Sequence, residues 1–228
     1  MSDHVLHGDP PIPLLLRRSG RARRISLRIS QLDGRVTLTL PSSCPEAEAL
    51  DFAMQKESWI RRHLQARTPD EVVGLGASIP FQGKLYQVVS GQGRRVLASD
   101  GVLVVPGAPN RAAARLSGFL KQTARSRLAA ASDRYAAALG RSYQRLTIRD
   151  TRSRWGSCSS TGGLMYSWRL IMAPAEVLDY VAAHEVAHLQ EMNHSPAFWQ
   201  LVEDLYGDYE NPRNWLRREG SDLHRFRF

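Results

Sequence analysis

Apolar and polar residues alternate along several short segments in the first half of the chain. In residues 23–30, Ile25, Leu27 and Ile29 alternate with arginine and serine side chains. Such alternation places apolar side chains on one face of a β-strand and polar side chains on the other. The dipeptide Asp33-Gly34 is typical of the turn of a β-hairpin. We predict strands at 12–18, 23–30, 35–40, 77–81, 84–90, 94–98 and 102–105.

Helical periodicity replaces this alternation in other segments. Residues 45–67 begin with Pro45, which suits a first helical turn, and end with arginines, as the helix dipole prefers. Further helices are predicted at about 110–139 and 174–192, and another begins with Ser195 as its N-cap and Pro196 at its first position. Prolines and a glycine near 106–110 mark a boundary. The sequence therefore predicts an α+β protein with a β-rich N-terminal part at 1–108, which contains the helix at 45–67, and a mainly helical part at 109–228.

Three histidines and a glutamate near the end of the predicted helix 174–192 have the spacing of a catalytic metal site. His184 and His188 are four residues apart, so both rings lie on one face of a helix, and Glu185 projects beside them. His194 falls in the turn before the next helix, where the chain reverses and the ring can return toward the first two. Catalytic zinc typically keeps three protein ligands and one water. We predict that these histidines bind Zn²⁺ and that Glu185 is the general base.

The third ligand has an alternative. In gluzincins a glutamate of the following helix completes the site, and Glu203 or Glu210 could serve here. His194 is preferred because it needs only a local turn. The metzincin class has the same histidine spacing, but Glu191 stands in place of its glycine and no methionine follows Met192 to form a Met-turn. The sequence therefore excludes that class.

Four motifs around this segment occur in a fixed order. They are RWGSCSS at 154–160, SWRLIMAP at 167–174, HEVAH at 184–188 and HSPAFW at 194–199. Together they resemble the YgjP-like metallopeptidase family, which is related to the SprT-like proteases. The resemblance is close over about 146–216 and weaker in the N-terminal half. It implies a minimal zincin-like metallopeptidase fold, in which the histidines matching His184, His188 and His194 bind metal and the glutamate matching Glu185 is the catalytic base.

A short β-hairpin is predicted just before the histidine helix. Strand-like runs lie on both sides of a Ser/Gly turn, and an extended peptide could add as a further strand to an exposed edge beside the metal. The candidate substrate-binding residues are Arg152, Arg154, Trp155 and Gly156. Gly156 would permit a close backbone approach. Trp155 as a core aromatic residue and Arg154 as a surface charge are equally acceptable interpretations.

Two other functions use the same predicted metal site. A phosphoanhydride hydrolase acting on nucleotides would use Arg152, Arg154 and Arg169 as phosphate clamps. A binding module with a structural zinc is weaker, because structural sites are usually closed by four ligands and favour cysteine. For peptide hydrolysis, an arginine, Tyr206 or Tyr209 would stabilise the oxyanion. A metallopeptidase acting on a peptide or protein is the preferred prediction.

The net charge of +9 suggests a polyanionic partner. Six arginines without an intervening acid occupy residues 17–28, from Arg17 to Arg28. A basic strand face of this kind could contact nucleic-acid phosphates. The segment lacks the interleaved aromatic residues that single-strand binders use. A solvated basic strand is therefore the competing interpretation.

The cysteine count and the hydropathy of the chain indicate the cellular compartment and whether the chain crosses a membrane. Cys44 and Cys158 are the chain's two cysteines, which is too few for a disulfide framework and fits a reducing cytoplasm. No apolar run approaches the roughly 20 residues that a membrane helix needs, and no signal peptide is recognised at the N-terminus. The sequence therefore predicts a cytoplasmic protein without membrane contact.

Overall fold

The computed structural model describes residues 2–30, 33–66 and 68–228. Within these residues it contains six α-helices and thirteen β-strands, so the fold is mixed α+β, as predicted. The chain divides into two compact units, Met1–Pro69 and Asp70–Phe228. This division precedes the boundary predicted near residue 108. The reason is that the strands between residues 78 and 106 share a hydrophobic core with the long helix that follows them.

The first unit is a four-stranded sheet with two helices. Its strands are β1 (Ser2–Leu6), β2 (Ile12–Ser19), β3 (Ser26–Ile29) and β4 (Val36–Pro41), in the order β1-β2-β4-β3. β2 and β4 run parallel, and the outer pairs are antiparallel. The predicted helix 45–67 is divided at Lys56 into α1 (Glu46–Gln55) and α2 (Glu57–Gln65), and its last predicted residue lies outside the described residues. The pattern did not predict β1.

Alternation along β2 and β4 builds the core of this unit. Leu14 and Leu16 of β2 and Leu38 of β4 are buried on one sheet face. They share a core with Ala53 and Ile60 of the helices. The opposite sheet face carries the polar residues of the same strands, so the amphipathic pattern alone accounts for this unit.

The second unit contains two larger sheets and four helices. One sheet has β6 (Ser78–Phe81), β7 (Lys84–Gly91), β8 (Leu97–Ser99) and β9 (Val102–Pro106), in the order β6-β7-β9-β8. The other has β10 (Arg145–Arg149), β11 (Gly156–Cys158) and β12 (Gly163–Ser167), in the order β10-β12-β11. The helices are α3 (Ala112–Leu139), α4 (Ala175–Ala187), α5 (Pro196–Tyr206) and α6 (Glu210–Arg218). A short pairing joins β5 (Glu71–Val72) to β13 (Phe226–Arg227).

The predicted hairpin is the antiparallel pair β11 and β12, and β10 adds to it in parallel. A 3₁₀ turn at Trp168–Met172 leads from β12 into α4. Helix α4 is largely buried, because residues on several of its faces, among them Val177, Ala182 and Val186, lie in the core. The hairpin and the buried helix together place the histidine segment against β11. No helix among the described residues combines the length and apolar character needed to cross a membrane.

Candidate metal centre

The first two histidines lie at the C-terminal end of α4. His184 and Glu185 are in its last turn, and His188 is the residue that caps it. The helix was predicted to continue to Met192, but it ends at Ala187. The backbone N–H groups of Leu189 and Gln190 donate to carbonyls only three residues earlier, so the last turn is tighter than an α-helix.

The third histidine is brought back by the turn between α4 and α5. Ser195 caps α5, and its Oγ accepts a hydrogen bond from the Phe198 N–H at 3.3 Å, with Pro196 in the first helical turn. This capping agrees with the sequence. The reversed chain places Nε2 of His194 3.1 Å from Nε2 of His184. Sequence spacing had predicted this return of the ring.

The donor atoms of His184, His188 and His194 lie within 4.8 Å of one another. Nδ1 of His188 donates to the Glu191 carbonyl at 2.8 Å, which leaves Nε2 with a free lone pair. Nδ1 of His184 is buried and has no hydrogen-bond partner among the described residues. Three converging imidazoles, one with its second nitrogen held by a carbonyl, are a donor set that fits a zinc-like divalent cation.

Burial keeps two of these rings neutral. It lowers the pKa of His184 to about 3, and the neighbouring His188 and His194 rings lower it further. Burial also lowers the pKa of His188, although its bond to Glu191 opposes this. Phe198 stacks on the His188 ring at a centroid distance of 4.4 Å and supplies part of the apolar surrounding. Neutral imidazoles are the form that binds metal.

Glu185 is buried beside the hairpin. Its side chain packs so tightly on Gly156 that a Cβ atom at that position would come 2.5 Å from Oε1 of Glu185. Burial raises the pKa of Glu185 to about 8, while Arg154 and a hydrogen bond from the backbone N–H of Cys158 act in the opposite direction. Glycine at 156 is therefore required for the carboxylate to lie against β11.

Strand β11 presents an open edge on this side. The Ser167 N–H donates to the Trp155 carbonyl and the Ser159 N–H donates to the Gly163 carbonyl. In an antiparallel pair, hydrogen-bonded positions alternate, so the N–H and C=O groups of Gly156 and Cys158 point away from β12. The N–H of Cys158 meets Glu185. The remaining outward groups of this edge are available to another extended chain.

A family model for the YgjP-like metallopeptidase domain matches residues 23–219 of this chain. The chain belongs to the YgjP-like metallopeptidase family. A search of curated proteins returns no match. Among solved structures, the chain matches the crystal structure of the metallopeptidase zymogen of Pyrococcus abyssi abylysin, at 21% identity and a TM-score of 0.37, over 44% of this chain and 99% of that one.

Membership in the YgjP-like family makes this chain a metallopeptidase, so its hydrolytic site requires a metal. The three-histidine cluster is the group that could hold it. Among the described residues this cluster includes neither of the alternative third ligands, Glu203 and Glu210, and Glu210 pairs with Arg213 at 3.0 Å.

The predicted substrate-binding residues fall into two environments. Arg152 and Arg154 are exposed, whereas Trp155 is half-buried. The Trp155 ring packs on His224 at a centroid distance of 5.2 Å and against Gly220. Trp155 therefore joins the hairpin to the C-terminal 3₁₀ turn at Gly220–His224. Gly156 lies between the strand edge and Glu185.

Arg169, predicted as a phosphate clamp, is buried and engaged. Its Nε and Nη2 donate to the two carboxylate oxygens of Asp150 at 2.7 and 3.3 Å. Its Nη1 donates to the carbonyls of Leu223 and Phe226 at 2.7 and 3.1 Å. These contacts connect the segment before α4 to the C-terminal residues. A guanidinium held in this way is not free to bind a phosphate.

Cys158, the cysteine of the hairpin, is not an activated nucleophile. Burial, and then the neighbouring Glu185, raise the pKa of the Cys158 thiol to about 11. The thiolate, which is the nucleophilic and metal-binding form, is therefore disfavoured at neutral pH. Cys158 packs against the core of the second unit, so its role is that of a small packing residue.

Sequence patterns did not single out the aromatic and cationic group beside the cluster. The Trp199 ring stacks on His194 at a centroid distance of 5.6 Å and on Tyr209 at 5.3 Å. The Arg213 guanidinium lies over Trp199 at 4.3 Å, and its charge also lowers the pKa of His184. In the sequence, Trp199, three positions after Pro196, belonged only to the motif HSPAFW that carries the family resemblance.

The basic segment Arg17–Arg28 belongs to the first unit. Arg17 on β2 and Arg28 on β3 are exposed on the polar sheet face. With Arg35, Thr37 and Thr39 they line an open depression of about 260 Å³. β3 covers only Ser26–Ile29 of the strand predicted at 23–30, so Arg23 and Arg24 lie outside it and Arg28 is its basic residue.

Proposed function

We propose that this metallopeptidase is a zinc peptidase in which His184, His188 and His194 hold the metal and Glu185 is the general base. One observation carries the proposal. Three imidazole nitrogens within 4.8 Å of one another lie at the end of the helix that also carries a buried glutamate against an open strand edge.

Zinc fits this donor set, because the ligands are three imidazoles of which two are held neutral by burial. Bound there, it would supply a Lewis acid that lowers the pKa of water to about 7 and polarises the substrate carbonyl. The protein's own contribution is to fix the rings. Glu191 orients His188 through its carbonyl, and Phe198 restrains the same ring by stacking.

Glu185 would move the proton. Its Oε1 lies on the side of β11, where the scissile peptide group would be placed. The carboxylate would accept a proton from the attacking water at Oε1 and deliver it to the leaving nitrogen. General acid–base catalysis of this type contributes about 10²–10⁴-fold to a rate.

The open edge of β11 supports an extended peptide as substrate. Backbone N–H and C=O groups of Gly156, with the carbonyl of Cys158, would pair with an added strand. Since these bonds involve only backbone atoms, they select an extended conformation rather than a particular side chain. Gly156 contributes by having no side chain between the strand and Glu185.

Of the two tyrosines proposed for the oxyanion, Tyr206 is engaged. Its hydroxyl donates to the Glu176 carbonyl at 3.0 Å. Tyr209 stacks on Trp199 close to His194, so it remains the candidate of the pair. Arg213, which is in the same stack, is the cation whose field reaches His184.

Nucleotide hydrolysis, the alternative function, was predicted to use three arginines as phosphate clamps. One of them, Arg169, is bound to Asp150 and to two carbonyls instead. Contact between nucleic acid and the Arg17–Arg28 region remains a prediction. Arg17 and Arg28 line one depression on the first unit, which Asp33 also lines and where Asp33 pairs with Arg35. Salt-dependent binding of an oligonucleotide, lost on substitution of Arg17 and Arg28, is the observation it requires.

The decisive experiment compares the zinc-loaded chain with Glu185→Gln on an unfolded protein and on nucleoside triphosphates. We expect proteolysis by the wild type, lost with a chelator and restored by zinc. Glu185→Gln should keep its zinc and lose about a thousandfold in turnover, or roughly 4 kcal/mol of barrier. Zinc-dependent nucleotide hydrolysis without proteolysis would contradict the proposal, and so would full activity of the variant.

A further inference from the structure

The sheet β10-β12-β11 has a polar face that the metal centre does not use. Leu146 and Ile148 of β10 pack on the core of the second unit. Because side chains alternate along a strand, Arg145, Thr147 and Arg149 lie on the opposite face. This outer face belongs to the same sheet as the open edge of β11.

The outer face encloses an open depression of about 540 Å³. Its lining includes Arg145, Arg149 and Arg154, which we call the arginine face, and five serine or threonine hydroxyls, but no acidic residue. Hydroxyl groups can donate to an anion without cancelling the positive charge. The depression is therefore both cationic and rich in hydrogen-bond donors.

The arginine face has no ion-pair partner among the described residues, although the charge of Arg154 lowers the pKa of Glu185. In the part of the chain that the structure describes, none of its three side chains forms an ion pair. Other arginines of the same unit do. Arg134 pairs with Asp179 at 3.0 Å, and Arg227 pairs with Asp70 at 2.6 Å. Uncompensated positive charge is thus concentrated on one face of one sheet, where it would attract an anionic ligand.

Gly163 brings Arg145 toward the edge of the sheet. A Cβ atom at Gly163 would come 3.3 Å from Nε of Arg145 and 3.0 Å from Oγ of Ser159. The arginine side chain therefore crosses β12 at a position without a side chain and extends toward β11. β10 is two strands from β11 and three from a strand added beside β11, and this crossing shortens the distance from the Arg145 guanidinium to such a ligand.

The register connects this face to the proposed peptide path. Ser157 pairs with Met165, and Met165 pairs with Thr147, so these side chains share the outer face. A strand added beside β11 would place every second side chain on the same face. Those side chains would project over the depression that the arginine face lines.

We propose that the arginine face selects polypeptide segments that carry Asp or Glu at alternate positions near the cleaved bond. The inference rests on the proposed peptidase function and adds its substrate class. Carboxylates on alternate residues match the side-chain period of an added strand. Arginine pairs well with carboxylates, since its planar guanidinium can donate two parallel hydrogen bonds.

The test uses three unstructured peptides with one apolar centre and Glu, Gln or Lys at the alternate flanking positions. For the zinc-loaded chain, we expect kcat/KM to fall from Glu to Gln to Lys, by about tenfold at the first step, mainly through KM. Binding of the labelled peptides to zinc-loaded Glu185→Gln, followed by fluorescence anisotropy, should give the same order. The difference should shrink in 0.5 M salt, because exposed charges are screened.

The double variant Arg145→Gln/Arg149→Gln should lose the preference for Glu while still cleaving the Gln peptide. Arg94→Gln/Arg95→Gln removes the same charge from an exposed segment between β7 and β8 and should keep the preference. Equal affinity for the three peptides would overturn the inference. Tighter binding of a single-stranded oligonucleotide, in competition with the Glu peptide, would overturn it in favour of nucleic acid. Failure to cleave any peptide, with charge-dependent binding intact, would instead count against the peptidase function.

Discussion

The two units of this chain differ in what they bury. Every described buried residue of the first unit is apolar or a cysteine, from Leu6 to Ile60. The second unit buries Arg169, Glu185, His188 and His224 together with Ser132 and Ser167. Burial of a polar group costs free energy unless a partner compensates for it. The buried polar residues of the second unit therefore indicate that this unit is selected for more than folding stability.

Most of the buried polar groups have such a partner. Arg169 has Asp150 and two carbonyls, and the Ser132 hydroxyl lies 3.0 Å from the Tyr166 hydroxyl. The Ser167 hydroxyl and Nδ1 of His184 are different, because neither has a hydrogen-bond partner in the part of the chain described. The core of the first unit is explained by the amphipathic pattern alone. The core of the second unit also contains ionisable groups around a cluster of histidines, as expected where a protein carries out chemistry.

The largest expected effect concerns the cluster itself. His184→Ala, His188→Ala or His194→Ala should each lose bound zinc, and activity should fall at least a thousandfold, or roughly 4 kcal/mol, because two imidazoles leave the site incomplete. Glu203→Ala is the matched control, since this glutamate is exposed on α5. Metal analysis by mass spectrometry checks both. Normal zinc in His194→Ala with depletion in Glu203→Ala would reverse the choice of third ligand.

Substitution of Arg169 and of Arg35 compares the stability lost with a buried arginine with that lost with an exposed one. Arg169→Met should lower the free energy of unfolding by about 3 kcal/mol, since two buried carbonyls and Asp150 lose their donor. Arg35→Ala breaks an exposed pair with Asp33 and should cost at most about 0.5 kcal/mol. Urea unfolding of the metal-free proteins measures both. Similar losses for the two variants would remove the energetic distinction between the units.

His224 should make the free energy of unfolding of the second unit depend on pH in the acid range. Burial, and then the neighbouring Arg169, lower its pKa from 6.5 to about 4. Between these values the unfolded chain binds a proton that the folded chain does not, so stability is present above pH 6.5 and declines toward pH 4. The loss is roughly 2–3 kcal/mol.

His224→Gln should therefore show a shallower decline than the wild type when unfolding is measured from pH 7 to 4.5. The histidines of the cluster are present in both proteins, so their contribution cancels in the comparison. Parallel curves would show that His224 contributes nothing to the acid sensitivity.

Substitution of Gly156 should have the smallest of these effects, a loss of turnover. In Gly156→Ala the new methyl group would displace Glu185, and a displacement of about 1 Å can lower turnover by tenfold to a hundredfold. Zinc content should not change. Ser26→Ala, on the exposed edge strand β3 of the first unit, is the control and should leave turnover as it is. A loss of zinc in Gly156→Ala would mean that the strand supports the metal rather than the glutamate.

The sequence predicted what depends on local periodicity. The spacing of His184 and His188 on one helix face, the Ser195-Pro196 cap and the alternation in β2 and β4 each involve residues close in the chain. The return of His194 was predictable for the same reason, since only a short turn separates it from α4.

Long-range contacts were not predictable. Strand β10 pairs in parallel with β12, and its sequence is too short and too polar to predict a strand by itself. The carbonyls that hold Arg169 come from residues 54 and 57 positions away, which no spacing rule indicates. The division of the chain at Pro69 depends on the packing of β6–β9 on α3, which chain composition does not indicate.

The stack of Trp199 on His194 has an optical consequence. The emission of an indole ring depends on the charge and quenching groups next to it, and this ring lies against one proposed ligand and under the Arg213 guanidinium. A cation entering the cluster would change the field across Trp199 directly. Trp199 is one of five tryptophans in the chain, so we expect metal loading at the proposed site to change that part of the protein's emission which comes from this ring.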